Sequence, residues 1–265
     1  MDLQVAHGLI QEQFLSGFEL PGEHIVPSPT PNQSVLFIPF VRARLCFPPS
    51  DFLLEFLEFY QIQLHHLTPN GVIFLSAFAH LCEAFIGIPP CFLLFRHFFR
   101  MKLSDSANPP LFGCCILQSR QGFKDTFPSF TLSDSVKDWT EKWFYVPKPT
   151  PFSSDLSSTP SALPVWKDKL LTSEVKAIKP LLARVSQLKQ AGLTGNGLVA
   201  SFIWENFGFE YSGPKDSSRL VPDAELPEEV VLDRLKRVFS NVSAMPARID
   251  EYDAARPPPE VSIYL

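Results

Sequence analysis

The sequence predicts an α+β fold, mainly helical, with a small antiparallel sheet and a helical C-terminal appendage. Three observations predict it. Phenylalanine is concentrated, 13 of the 25 falling within residues 35–101, where it recurs at helical spacing. Two short runs, LFGCCILQ at 111–118 and WFYV at 143–146, are apolar, aromatic or β-branched and bounded by turn formers, as strands are. Further amphipathic helical patterns begin only after an 18-residue stretch, 147–164, that holds five Pro and five Ser.

The first helix follows Pro48-Pro49-Ser50-Asp51, which offers an N-cap, and carries Phe52, Phe56, Phe59 and Tyr60 on one face. The second opens at Thr68-Pro69-Asn70, a capping hydroxyl before a proline at the first helical position. Its stripe of Val72, Leu75, Phe78, Ala79, Cys82, Phe85 and Ile86 ends at Gly87 and Pro89-Pro90. A third is predicted over 90–101, with Leu93, Leu94, Phe98 and Phe99 inward and Arg96 and Arg100 outward. Gln121-Gly122 suits a turn between the first strand and residues 123–132. Beyond the Pro/Ser-rich stretch, Val175, Ile178, Leu181, Leu182, Val185 and Leu188 predict one helix capped by Gly192. Others start after Thr194 and at Pro227.

The expected layout is a flexible N-terminus at 1–24, a Phe-rich core at 25–146, a linker or extended surface segment at 147–164, a helical appendage at 165–244 and a flexible tail at 245–265. Whether the appendage packs on the core or swings free stays open.

At 265 residues with 45 % apolar and 19 % charged residues, the chain is neither disordered throughout nor short of core material. Its 28 acidic residues exceed its 23 basic ones, for a net charge of −5, so no global positive field attracts nucleic acid or anionic lipid. The densest basic stretches, 96–102 and 234–237, read as solvated helix faces. Five cysteines at irregular spacing, and a start (MDLQVAHGLI) without a basic segment and a long apolar run, predict a reduced, intracellular protein; nucleus and cytoplasm are not distinguished. The apolar stretch 72–95 is interrupted by His80, Glu83 and Pro89-Pro90, so no membrane span is expected.

Candidate chemistry is sparse. His65, His66, His80, Cys82, Cys91 and His97 lack the repeated short spacing of metal ligands, so no metal site is expected. Asp105-Ser106-Ala107 matches the aspartic protease triplet but lies in a polar, Pro-rich setting. GLTGNG at 192–197 lacks the Gly-Lys-Ser/Thr ending of a phosphate loop and reads as a helix cap followed by a helix start. No catalytic residue, cofactor or small-molecule substrate is therefore expected. One stretch, 137–145, interleaves Lys137 and Lys142 with Trp139, Trp143 and Tyr145, as a base-stacking platform would. Asp138 and Glu141 balance its lysines, and packing of a strand against the Phe-rich helices is the competing account.

The order of segments PGEHIVPSP, VLFIPFVRARLCFPPSDFLLEFLEFYQIQLHHLTPNGVIFLSAFAHLCEAFIGIPPCFLLFRHFF, WFYVP and KQAGLTG resembles the putative gypsy-type transposon domain of plant, especially grass, genomes. The resemblance runs over 21–214 and is most specific over 47–99, around Leu64-His65-His66-Leu67-Thr68-Pro69-Asn70. It implies an open reading frame carried by, or derived from, a long-terminal-repeat retroelement, and it carries over no catalytic residue. Relatives often continue into a long charged helical region. Here a short Pro-rich tail follows Ser240, which predicts a truncated copy. The expectation is a non-enzymatic protein acting structurally or through self-association or other retroelement proteins. A nucleic-acid-binding accessory protein is the alternative.

Overall fold

The computed structural model describes residues 18–43, 45, 49–104, 112–122, 126–128, 138–148, 152, 154–195 and 198. In chain order the elements are β1 (Gln33–Phe37), α1 (Ile38–Arg42), α2 (Asp51–Tyr60), α3 (Pro69–His80), α4 (Phe92–Phe98), β2 (Phe99–Leu103), β3 (Cys115–Ser119), β4 (Trp143–Pro147), α5 (Thr172–Ala177) and α6 (Lys179–Gln190). The α+β class holds: helices pack with two small antiparallel sheets.

The helix starts follow local chemistry. Ser50 Oγ accepts from the Leu53 amide at 3.1 Å, and α2 buries Phe52, Leu53, Phe56, Leu57 and Tyr60. Thr68 Oγ1 accepts from the Gly71 amide at 3.0 Å, with Pro69 at the first position of α3. The predicted stripe on α3 is buried throughout, but its last turn is not α-helical. Leu81–Ile86 widens into a π-helical turn, closed by the Gly87 amide donating to the Cys82 carbonyl at 2.7 Å, and the chain leaves through Gly87 at φ 86°. Among the described residues one helical stretch, Pro69–Ile86, is long and apolar enough to cross a membrane, and 72 % of it is buried inside the protein.

The third predicted helix is shorter than its periodicity. It stops at Phe98, and Phe99–Leu103 becomes β2, paired from Phe99↔Ser119 to Leu103↔Cys115 with β3. The cause is tertiary. The Arg120 amide donates to the Phe98 carbonyl at 2.8 Å, while Arg120 Nε donates to the carbonyls of Arg96 (2.8 Å) and Phe99 (3.0 Å), so one residue captures the carbonyls a longer helix would use internally. Arg96 is not simply outward: its guanidinium lies 4.3 Å over the Phe59 ring and 3.6 Å from Glu174 of α5. Within α4 the buried residues are Phe92, Leu94, Phe95 and Phe98.

β4 has an unforeseen partner. It pairs antiparallel with β1, from Gln33↔Pro147 to Phe37↔Trp143, and on its other edge Tyr145 exchanges backbone hydrogen bonds with Glu19 at 2.8 and 2.9 Å. The described part of the start expected to be flexible, 18–24, is thus laid on β4. The turn at Gln121-Gly122 is present, with Gly122 at φ 87°. Residues 123–125 and 129–132, its expected continuation, lie outside the described residues.

After the Pro/Ser-rich stretch, the single predicted helix is two. α5 ends at Ala177, because Pro180 has no amide to donate back across the junction, and α6 restarts with that proline in its first turn. Gly192, at φ 110°, follows α6. The chain on both sides of 147–164 shares one core. Ile178, Leu181, Val185 and Leu188 belong to the same buried cluster as Phe56, Phe78 and Phe95. Trp166, 1 % exposed, donates through Nε1 to the Tyr60 carbonyl at the end of α2, at 2.9 Å. Phe152 is buried within the stretch itself. The helix predicted from Pro227, the basic stretch 234–237 and the tail 245–265 lie outside the described residues.

Candidate functional site

Of the aromatic and basic residues singled out in the sequence, Trp143 and Tyr145 are placed inward. Trp143 and Tyr145 are each 3 % exposed, on one face of β4 with ring centroids 5.0 Å apart. The Tyr145 hydroxyl accepts from the Ser28 amide at 3.0 Å and bonds His24 Nδ1 at 2.7 Å. Trp139, half-buried in a 3₁₀ turn (Trp139–Glu141), stacks on Phe40 at 5.4 Å and meets Phe37 edge-on at 4.8 Å. Lys142 is exposed, and Lys137 lies outside the described residues. A base-stacking platform needs open ring faces. The rings of Trp143 and Tyr145 are buried and pack within the fold.

Trp139 retains a role, as one wall of an open groove of about 280 Å³. The lining also takes in Thr68, Pro69, Asn70 and Gly71 at the start of α3, Phe74 one turn on, and Ile116 and Leu117 of β3. The lining has no ionisable side chain and is predominantly apolar. Gly113 closes the structure behind it: at φ 68°, a Cβ there would stand 2.8 Å from Trp139 Cζ2 and 3.3 Å from Thr68 Cγ2. Its amide donates to the His65 carbonyl at 3.0 Å, and Cys115 forms a parallel bridge with Leu67. The groove was invisible in sequence because its walls come from three distant segments; the capping pattern at Thr68-Pro69 was the one local signal.

Next to it lies the histidine pair. His66 Nδ1 accepts from the Gln63 amide at 3.0 Å, so the ring proton sits on Nε2, which donates to the Ser158 carbonyl at 2.9 Å. Ser158 Oγ is 3.4 Å from the same nitrogen and Asp155 is nearby in sequence, yet this is not a nucleophile–base pair. A protonated Nε2 cannot take the hydroxyl's proton, and Nδ1 faces an amide rather than a carboxylate. Burial lowers the pKa of His66. That of His65, 4 % exposed, falls to about 3 through burial and the neighbouring His66. His66 ties Ser158 to the core.

Cys82, Cys114 and Cys115 are thiols rather than disulfides, and burial raises the pKa of each. Among the described residues no group of three or more His, Cys, Asp or Glu is arranged to hold a metal ion. Asp105 and residues 196–197 of the glycine-rich stretch lie outside the described residues.

From β1 through α1, α2, α3 and α4 to the end of β2, these elements are one contiguous segment with a known counterpart. Residues 35–103 match the family model described as "Putative gypsy type transposon". The match covers about a quarter of the chain and suggests a retroelement origin. No curated protein and no solved structure matches. The gypsy-type segment supplies the α3 wall of the groove and Phe74, whereas Ile116, Leu117 and Trp139 come from outside it.

Proposed function

We propose that this retroelement-derived protein is non-enzymatic and works by protein association, building or joining an assembly inside the cell. The supporting observation is the open apolar groove between α3, β3 and Trp139, whose lining offers an apolar side chain a place to be buried and holds no ionisable side chain. The net charge of −5 and the inward packing of Trp143 and Tyr145 weigh against the nucleic-acid alternative. Light scattering across a concentration and salt series, with and without a mixed oligonucleotide pool, tests the proposal. Growth of a defined oligomer without nucleic acid is expected. A monomer at all concentrations that shifts only with oligonucleotide, and less at high salt, would replace it with the nucleic-acid reading.

A further inference from the structure

Proline follows a serine or threonine at four places among the described residues: Ser28-Pro29, Thr30-Pro31, Thr68-Pro69 and Thr159-Pro160. Such a proline has no amide to donate and holds the residue before it extended, so each pair offers a hydroxyl on the kind of backbone that a kinase cleft accepts. The fold sorts the pairs by access. Thr68 is half-buried with its Oγ1 engaged as the cap of α3, and Pro69 is buried. Pro160 is buried beside Thr159, and Pro29 is half-buried beside Ser28. Thr30-Pro31 alone among the described pairs exposes both residues, and Ser28 and Asn32 nearby are exposed as well.

Thr30 also stands at a junction of hydrogen bonds. Its carbonyl accepts from the Gln33 amide at 2.9 Å, which closes the turn into β1, and its own amide donates to Gln33 Oε1 at 3.0 Å. The other end of that carboxamide, Gln33 Nε2, donates to Glu19 Oε2 at 2.6 Å, and Glu19 is the residue whose backbone pairs with Tyr145 of β4. A line of contacts thus runs from Thr30 through one side chain to the segment laid on β4. The Thr30 hydroxyl is the group left over: among the described residues it holds no hydrogen bond.

We propose that Thr30 is a phosphorylation site for a proline-directed protein kinase and that its phosphate loosens residues 18–28 from β4. This goes beyond the association reading and does not depend on it. In the transfer, Thr30 Oγ1 forms a bond to the γ-phosphorus of Mg·ATP, the bond from that phosphorus to the bridging oxygen of ADP breaks, and the hydroxyl proton passes to the base of the kinase. The product carries close to two negative charges at neutral pH. Tethered to the same residue as the Thr30 amide, the phosphate is a stronger acceptor than the neutral Gln33 Oε1 and takes that donor. Gln33 then loses its tie to Thr30, and the Glu19 carboxylate faces an anion across it. The like charges push on a segment that Glu19 holds to β4 through two backbone hydrogen bonds.

The experiment incubates the full chain with a purified mitogen-activated protein kinase and Mg·ATP and locates the phosphates by tandem mass spectrometry, with synthetic peptides spanning each Ser/Thr-Pro pair as the reference free of the fold. In the folded protein Thr30 is expected to be modified first and the other three pairs about tenfold or more slowly, whereas the peptides should differ little. Thr30→Ala should remove the main product. First modification at Ser28 or Thr159, or a folded protein left unmodified at Thr30 although its peptide reacts, would overturn the site; a Thr30 peptide that is itself refused would overturn the kinase class. The consequence is read by limited proteolysis. Phosphorylated protein is expected to be cut within residues 20–28 about fivefold faster than unmodified protein. Glu19→Gln should remove most of that acceleration while leaving transfer to Thr30 unchanged. Equal cutting of both forms would reject the coupling through Gln33 and Glu19.

Discussion

Arg120 Nη2 donates to the Asp168 carbonyl at 2.6 Å, joining the end of β3 to the chain that follows the Pro/Ser-rich stretch. Nη1 donates to the Lys167 carbonyl at 3.0 Å and Nε to the carbonyls of Arg96 and Phe99, so a guanidinium 6 % exposed is held by four backbone oxygens. Burial lowers its pKa, yet an arginine keeps its charge at neutral pH, and carbonyl dipoles provide the compensation. Arg120→Met leaves those oxygens unsatisfied and is expected to cost about 3 kcal/mol in denaturant unfolding. Hydrogen exchange should quicken first over residues 167–190. Arg120→Lys should recover only part of the loss, since an ammonium cannot span four separated acceptors.

His65 sets a pH dependence. Its pKa is lowered to about 3 in the fold by burial, then by His66, against about 6.5 in the unfolded chain. Below about 6.5 the unfolded chain therefore binds more protons than the folded one. The contribution to stability is full above that pH and is lost as pH falls toward 3, with a limiting slope of about 1.4 kcal/mol per pH unit for this group. His65→Phe, which keeps a ring against Phe112, should flatten the stability profile between pH 6.5 and 4.5. An unchanged slope would remove His65 from the account.

Gly113→Ala tests the join between Trp139 and the start of α3. The added Cβ meets Trp139 Cζ2 at 2.8 Å and sits on a backbone at φ 68°, a conformation that side chains disfavour. A loss of about 1–3 kcal/mol is expected, accompanied by a change in tryptophan emission as Trp139 moves off Phe40.

Tyr145→Phe should separate loop from fold. The ring stays in place between Trp143 and the strands, while the hydroxyl contacts to His24 and Ser28 disappear. Global stability should fall by about 1 kcal/mol, whereas limited proteolysis within residues 20–28 should accelerate much more. Equal protection in both proteins would mean that the Glu19 pairing alone holds the loop.

Much of the helical core was legible because its signals are local. A serine or threonine hydroxyl one residue before a helix, a proline at its first position and apolar residues every third or fourth place act within a single turn, and α2 and α3 begin where Ser50 and Thr68 put them. The two strand runs around Cys115–Ser119 and Trp143–Pro147 were legible for a similar reason, through composition and flanking turns. The match over residues 35–103 falls on the segment where these signals are densest.

What the amino-acid sequence determined by itself was the class of fold, the starts of its central helices and the likeness of residues 35–103 to a gypsy-type transposon family, since each depends on residues near one another in the chain. Tertiary structure alone decided that Phe99–Leu103 is a strand, that β1 pairs with β4, that Trp143 and Tyr145 face inward, and that a groove opens between Thr68, Ile116 and Trp139. Each of these turns on a partner far away in sequence. A backbone group takes whichever hydrogen bond the folded chain offers, and an aromatic ring goes where it excludes water, so Arg120 could end a helix that its own periodicity would have continued.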